Sequence, residues 1–215
     1  MTDPVFGNPA ADTASVTGRV WIHSAPAALC PHIEWAFAAA NINAGSVNAR
    51  DRRVRPAWGH QVAAPTGASG TSSTSGTSGA PHYCCEVELQ CSAEAVRGLV
   101  ANLMRWEMLT FEVGIDAPSN GMGQRICVTP ELGYFEGATD EVGNLQVGEM
   151  QLRSIMSAHG HDAAAMSTAI DAALGGPWDR ALEPLRMGAA GFSPADIAAM
   201  CQPQTDTSTQ RLRAV

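Results

Sequence analysis

The residues best equipped for chemistry lie together in His23-Ser24-Ala25-Pro26-Ala27-Ala28-Leu29-Cys30-Pro31-His32-Ile33-Glu34-Trp35. This run reads as a strand-to-helix junction, where the unpaired backbone N–H groups of a helix start can receive an anion. In that setting His23, Ser24 and His32 would donate to a small ligand, with Cys30 and Glu34 beside them. A structural role accounts for the same residues: Ser24 or Cys30 caps the helix, His32 and Glu34 are solvated first-turn side chains, and Trp35 covers an apolar edge. A third reading makes Cys30 a nucleophile, because a helix N-terminus favours the thiolate and His32 is near in sequence. No oxyanion motif accompanies that thiol, so no residue is assigned a catalytic role. Cys30-x-His32 with His23 falls short of the local ligand pairs that zinc sites use, so neither a metal nor a cofactor is expected.

The remaining reactive groups are more scattered. Six cysteines include no C-x-x-C pair, and Cys84 and Cys85 fall in a strand-like run that would point them to opposite faces. His159-Gly160-His161 reads as an interhelical turn, and Gly121-Met122-Gly123 lacks the following helix that a phosphate loop requires. Trp35, Trp106 and Trp178 read as core or interface anchors. Trp106 continues a helical stripe, so Trp35 and Trp178 are the candidates for contact with a partner.

Composition narrows the partners. The formal charge is −8, which argues against nucleic acid and anionic membranes because both need a basic face. All 13 basic residues are arginine, and the one basic run, Arg50 to Arg55, contains Asp51. No apolar run approaches the ~20 residues of a membrane span. The N-terminal residues have neither a basic n-region nor an apolar h-region, so a cytoplasmic location is expected, with the cysteines free.

The elements that must position these groups follow from periodicity. Arg19 to His23 is β-rich, and Ile33, Phe37 and Ala40 mark a helix with Pro31 in its first turn. Residues 46–62 read as a second, weaker extended region. Tyr83 to Gln90 is a third strand, Ser92 caps a helix carrying Val96, Leu99, Val100 and Leu103, and Leu109 to Ile115 alternates apolar with polar. The order β-α-β-β-α-β over 19–116 predicts an α+β fold: a ferredoxin-like βαββαβ unit, with an antiparallel sheet and both helices on one face. Residues 1–18 read as a disordered arm. Residues 64–81, rich in Gly, Ser and Thr, read as a disordered insertion at a hairpin tip, and 202–215 as a disordered tail. Residues 117–201 supply a β-hairpin about Pro130 and a C-terminal helical extension packed on the same domain. Gly175-Gly176-Pro177 stops one helix, and Trp178, Leu182 and Leu185 lie in a last short helix or turn.

Several of these runs carry a family resemblance. His23-Ser24-Ala25-Pro26 leading to Leu29-Cys30-Pro31-His32-Ile33-Glu34-Trp35, then Leu103 to Val113, Thr129 to Phe135 and Trp178 to Arg186, resemble an uncharacterised actinobacterial domain of unknown function. The similarity spans about Arg19 to Arg186, with the Ser/Thr/Gly insertion as a departure. It implies no activity. The expectation is therefore a soluble, non-catalytic binding or regulatory protein whose partner is a protein or small molecule, self-association included. The alternative is an enzyme with a Cys/His site at 23–35.

Overall fold

Alternation along two strands decides where the layers go. Strand β1 (Ser15–Pro26) and strand β4 (Thr110–Ile115) are neighbours, paired Val20 to Val113 and Ile22 to Phe111. Successive side chains on a strand point to opposite faces, so Val20, Ile22, Phe111 and Val113 share one face. Trp21 and Glu112 share the other. The first face carries the main core, and all four of its residues are fully buried.

Two helices cover that face. Helix α1 (Cys30–Ala39) follows a 3-10 turn over Ala27–Leu29 and holds Pro31 in its first turn. It buries Ile33, Ala36 and Phe37, and Asn41, at φ 51°, turns the chain away in the left-handed region that asparagine tolerates. Helix α2 (Ala93–Leu103) starts at Ser92, whose hydroxyl accepts from the Ala95 N–H at 3.2 Å. Val96, Leu99, Val100 and Leu103 complete the stripe, as expected, while Trp106 lies past the helix end, half-buried against the same core.

The computed structural model describes residues 15–42, 55–63, 81–118 and 121–201. Among them the fold is α+β, with a seven-stranded sheet and six α-helices. The remaining strands are β2 (Gly59–His60), β3 (His82–Ser92), β5 (Gly123–Thr129), β6 (Gly133–Thr139) and β7 (Leu145–Gln146). The order across the sheet is β2-β3-β1-β4-β5-β6-β7, and every pairing is antiparallel. No helix among the described residues is long and apolar enough to cross a membrane.

Several expectations are corrected. Strand β1 begins at Ser15, so residues 15–18 of the expected arm are sheet. Its register against Ser92 and Cys91 gives those residues ladder partners that composition does not reveal. Of the extended region 46–62, only Gly59–His60 pairs within the described residues. The insertion 64–81 lies outside them except for Pro81, whose carbonyl accepts from the Ala27 N–H at 3.3 Å, and the tail 202–215 lies outside entirely.

Gly175-Gly176-Pro177 both stops a helix and starts one. Helix α3 (Glu149–His159) and α4 (Ala163–Ala173) form a hairpin in which no residue is fully buried. Gly175, at φ 74°, then reverses the chain into α5 (Gly176–Ala189), the longest helix, with Pro177 in its first turn, where a missing N–H costs nothing. A short α6 (Pro194–Met200) follows, closed by a capping box between Ser193 and Asp196.

Helix α5 covers the second face of the sheet. Leu182 and Leu185 bury themselves against Cys127, with Phe135, Trp178 and Ala63 around them. Full burial of two leucines contributes roughly 3–6 kcal/mol of transfer free energy. Strict alternation in β4 predicts a wet polar side, yet Thr110 and Glu112 are buried.

Candidate functional site

Glu112 sits on that covered face and gathers donors from three other elements. Arg125, two residues before Cys127 on the same side of β5, donates its Nε to Oε1 at 2.7 Å. Arg186 of α5 donates Nη2 to Oε2 at 2.9 Å, and His23 of β1 donates Nε2 to Oε2 at 3.2 Å. Both guanidiniums also reach Asp179: Arg186 through Nη1 at 3.1 Å, and Arg125 through Nη2 and Nη1. Asp179 and Arg186 stand seven residues apart on α5, two helical turns, and so share a face. Two carboxylates and two guanidiniums make the cluster formally neutral.

This arrangement fixes the protonation of its members. Burial by itself would raise the Glu112 pKa, but the His23 hydrogen bond and the charges of Arg186 and Arg125 outweigh it and hold the value at about 2. Cys127 Sγ lies 4.0 Å from Glu112 Oε1; burial first, and then that carboxylate, push the thiol up to about 12. Burial also raises the thiols of Cys30, Cys84, Cys85 and Cys91.

His23 owes its position to a bulge. Ile22 pairs with Phe111 and Ser24 with Thr110, so β1 spends one more residue than β4 at this point. The carbonyl of the extra residue is free of the ladder, and Gln61 takes it, donating Nε2 to His23 O at 2.7 Å and to Leu185 O at 3.0 Å. Gln61 Oε1 accepts from the Ala63 N–H at 3.0 Å, so a side chain only 2% exposed has its polar atoms engaged. One glutamine thereby ties the segment after β2 to β1 and α5. Gly188 leaves room for it, since a Cβ there would overlap Oε1.

Beside the cluster opens a pocket of about 580 Å³. Trp21, His23, Glu112 and Arg186 line its inner side, with Cys84 and Glu86 of β3 and Ala189 and Ala190 at the end of α5. The Trp21 indole lies across Gly114, where an added Cβ would meet Cζ3 at 3.3 Å.

The junction residues singled out in the sequence do not converge. His23, 4% exposed, points toward Glu112 on the α5 side. Ser24 is 1% exposed and pairs its hydroxyl with His82 Nδ1 at 2.7 Å. Cys30 lies 3.9 Å from the Pro26 carbonyl oxygen, and neither it nor Ser24 caps α1. His32 is exposed beside Trp106, ring centroids 6.4 Å apart, and Glu34 accepts from Trp58 Nε1 at 2.8 Å. Trp35 is 68% exposed. Trp178 is half-buried on Phe135 and donates Nε1 to Gly133 O at 3.1 Å. Of the whole run, only His23 joins the ionic cluster. Glu112, Arg125, Asp179, Arg186 and Gln61 are absent from the sequence-derived candidates. The one visible signal for them was the seven-residue spacing of an acid and a base in Asp179 to Arg186. Among the described residues, no three His, Cys, Asp or Glu side chains are grouped to hold a metal ion.

Sheet, covering helix and buried charges define an α+β protein whose polar interior is an ionic cluster beside an open pocket. The chain belongs to the family described as "Protein of unknown function (DUF3145)", whose pattern it matches over residues 19–195. That range takes in every residue of the cluster and the pocket. No curated protein and no solved structure matches the chain.

Proposed function

We propose that this protein is a soluble, cytosolic, non-catalytic binding or regulatory protein, and that its small-molecule ligand occupies the pocket between α5, β1 and β3. The observation that carries this reading is the pocket itself. Its volume of about 580 Å³ falls in the range of ligand sites, and a few fixed polar groups converge within largely apolar walls.

The chemistry of its lining supports binding over catalysis. A carboxylate held at about 2 by the His23 hydrogen bond and two arginines is far from the pKa of an efficient general base near neutral pH. The thiol of Cys30, on which an enzyme site at 23–35 would depend, is pushed up by burial, away from the reactive thiolate. The acidic balance of the chain disfavours nucleic-acid and anionic-membrane partners. The strand order β2-β3-β1-β4, antiparallel throughout, with α1 and α2 on one face, supports a ferredoxin-like unit over 19–116, extended through β5 to β7 and the C-terminal helices.

The test is retention of small molecules. Protein purified under native conditions is to be examined by native mass spectrometry, and its thermal midpoint followed in fractionated small-molecule extract. Wild type should carry or be stabilised by at least one component. Ala190→Phe, which fills the pocket from an exposed helix end, should fold and lose that effect. A wild-type chain that retains nothing and responds to no fraction overturns the reading.

A further inference from the structure

The lining of the pocket specifies more than its size. Each charged group facing it is already paired among the described residues. Glu112 is held by Arg125, Arg186 and His23, and Arg186 also reaches Asp179 and Glu183. Glu86 at the rim pairs with Arg19 at 2.8 Å. A charged ligand would leave water here without finding an unmet counter-charge, and that desolvation is costly.

Among the buried side chains of the lining, one nitrogen has no partner among the described residues. The Glu112 carboxylate can only accept, so His23 Nε2 carries the proton it donates, and in the neutral imidazole Nδ1 is left as an acceptor. Nδ1 has no protein partner among the described residues. No side-chain nitrogen or oxygen that is sealed from solvent there lacks one, so Nδ1 keeps contact with solvent, and His23 is part of the pocket lining. The residue is 4% exposed, and its ring is fixed by Glu112 on one side while Gln61 holds its carbonyl on the other. A preset acceptor of this kind costs little ordering entropy on binding. Next to it Trp21 offers an aromatic surface laid along the sheet over Gly114.

We infer that the ligand is an uncharged, flat, largely apolar molecule that lies against Trp21 and donates one hydrogen bond to His23 Nδ1. This inference rests on the pocket being a ligand site. It names the class of molecule that the site takes.

Four probes of one shape separate the alternatives: 2-naphthol, 2-methoxynaphthalene, 2-naphthoate and 2-naphthylmethylammonium, each followed by ligand-observed NMR with the full chain. The first should bind, and Ala190→Phe should abolish its signal. Removing the donor, as in the methyl ether, should weaken binding roughly tenfold, the effect of losing one buried hydrogen bond of about 1.4 kcal/mol. His23→Phe should bring the two neutral probes to equal affinity. If that variant does not fold, the naphthol and methyl ether pair on wild type decides. Tighter binding of either charged probe, or equal binding of the two neutral ones, overturns the ligand class while leaving the pocket reading intact. Failure of all four probes overturns this class; the pocket reading itself falls only if no component of the extract is retained either.

Discussion

Replacing Glu112 by glutamine keeps the shape of the side chain and removes the charge on which Arg125, Arg186 and His23 converge. The amide nitrogen would then face donors where the carboxylate offered only acceptors, and a net positive charge would stay under α5. The magnitude follows from linkage. A carboxyl held at about 2 in the folded chain, against an ordinary value of 4.5, contributes about 3 kcal/mol of stability near neutral pH. The general cost of breaking a buried pair, about 3–5 kcal/mol, agrees. Because the folded value is depressed, the contribution is fully present above pH 4.5 and is lost as pH falls toward 2. Integrated to pH 3.5, roughly 1.4 kcal/mol of it is gone. Urea unfolding of wild type and Glu112→Gln at a series of pH values reads this directly. The gap should be about 3 kcal/mol at pH 7 and narrow steadily in acid, because the wild-type carboxyl is then protonated as well. Equal stabilities at pH 7, or a gap that does not close, would show that the cluster is electrostatically idle and the reasoning wrong.

Gln61→Leu should cost about 2–4 kcal/mol in the same assay, since two buried carbonyls, of His23 and Leu185, lose their donor. Two glycines should respond with opposite signs. At Gly18 a Cβ would overlap backbone atoms of Gly114 and Ile115, so Gly18→Ala should destabilise by about 1–3 kcal/mol or more; at Gly98, on the open side of α2, Gly98→Ala should stabilise by about 0.5–1 kcal/mol. Timed alkylation followed by peptide mapping should label exposed Cys201 first and leave Cys85 and Cys127 unlabelled until the chain unfolds. Early labelling of Cys127 would mean that α5 does not seal the second face.

The parts of the fold that were legible are those in which local signals and tertiary packing agree. Ser92 followed by Glu94 and an i, i+3, i+4 stripe describes α2 with its cap, and the alternation in β4 locates that strand to within a residue. The alternation was misleading about environment, because period two reports which side chains share a face and says nothing of what lies over it. Only α5, more than sixty residues downstream, makes Glu112 an interior residue, and the Gly-Gly-Pro before it reads equally well as a stop. The short β2 is invisible for the same reason: its two residues gain strand geometry from β3 and not from their own propensity. At the site, the junction stood out because its reactive types are crowded in sequence, yet crowding along a chain that alternates faces disperses them. His23 was found. Its carboxylate partner Glu112 lies 89 residues away and Gln61, which holds its carbonyl, 38, and a bulge, which no single-residue propensity announces, sets its position between them.

The position of α5 also bears on how the chain is made. Synthesis runs from the N-terminus at about 5–20 residues per second, and 74 residues separate Glu112 from Arg186. From the addition of Arg125 to that of Arg186, roughly 3–12 s, Glu112 has one arginine where the finished cluster has two, and the apolar side of Cys127 has no cover. Final closure therefore waits until α5 has been made. A ribosome stalled before Gly176 would hold a sheet with one greasy face and a carboxylate that lacks its second arginine, the kind of surface that chaperones bind.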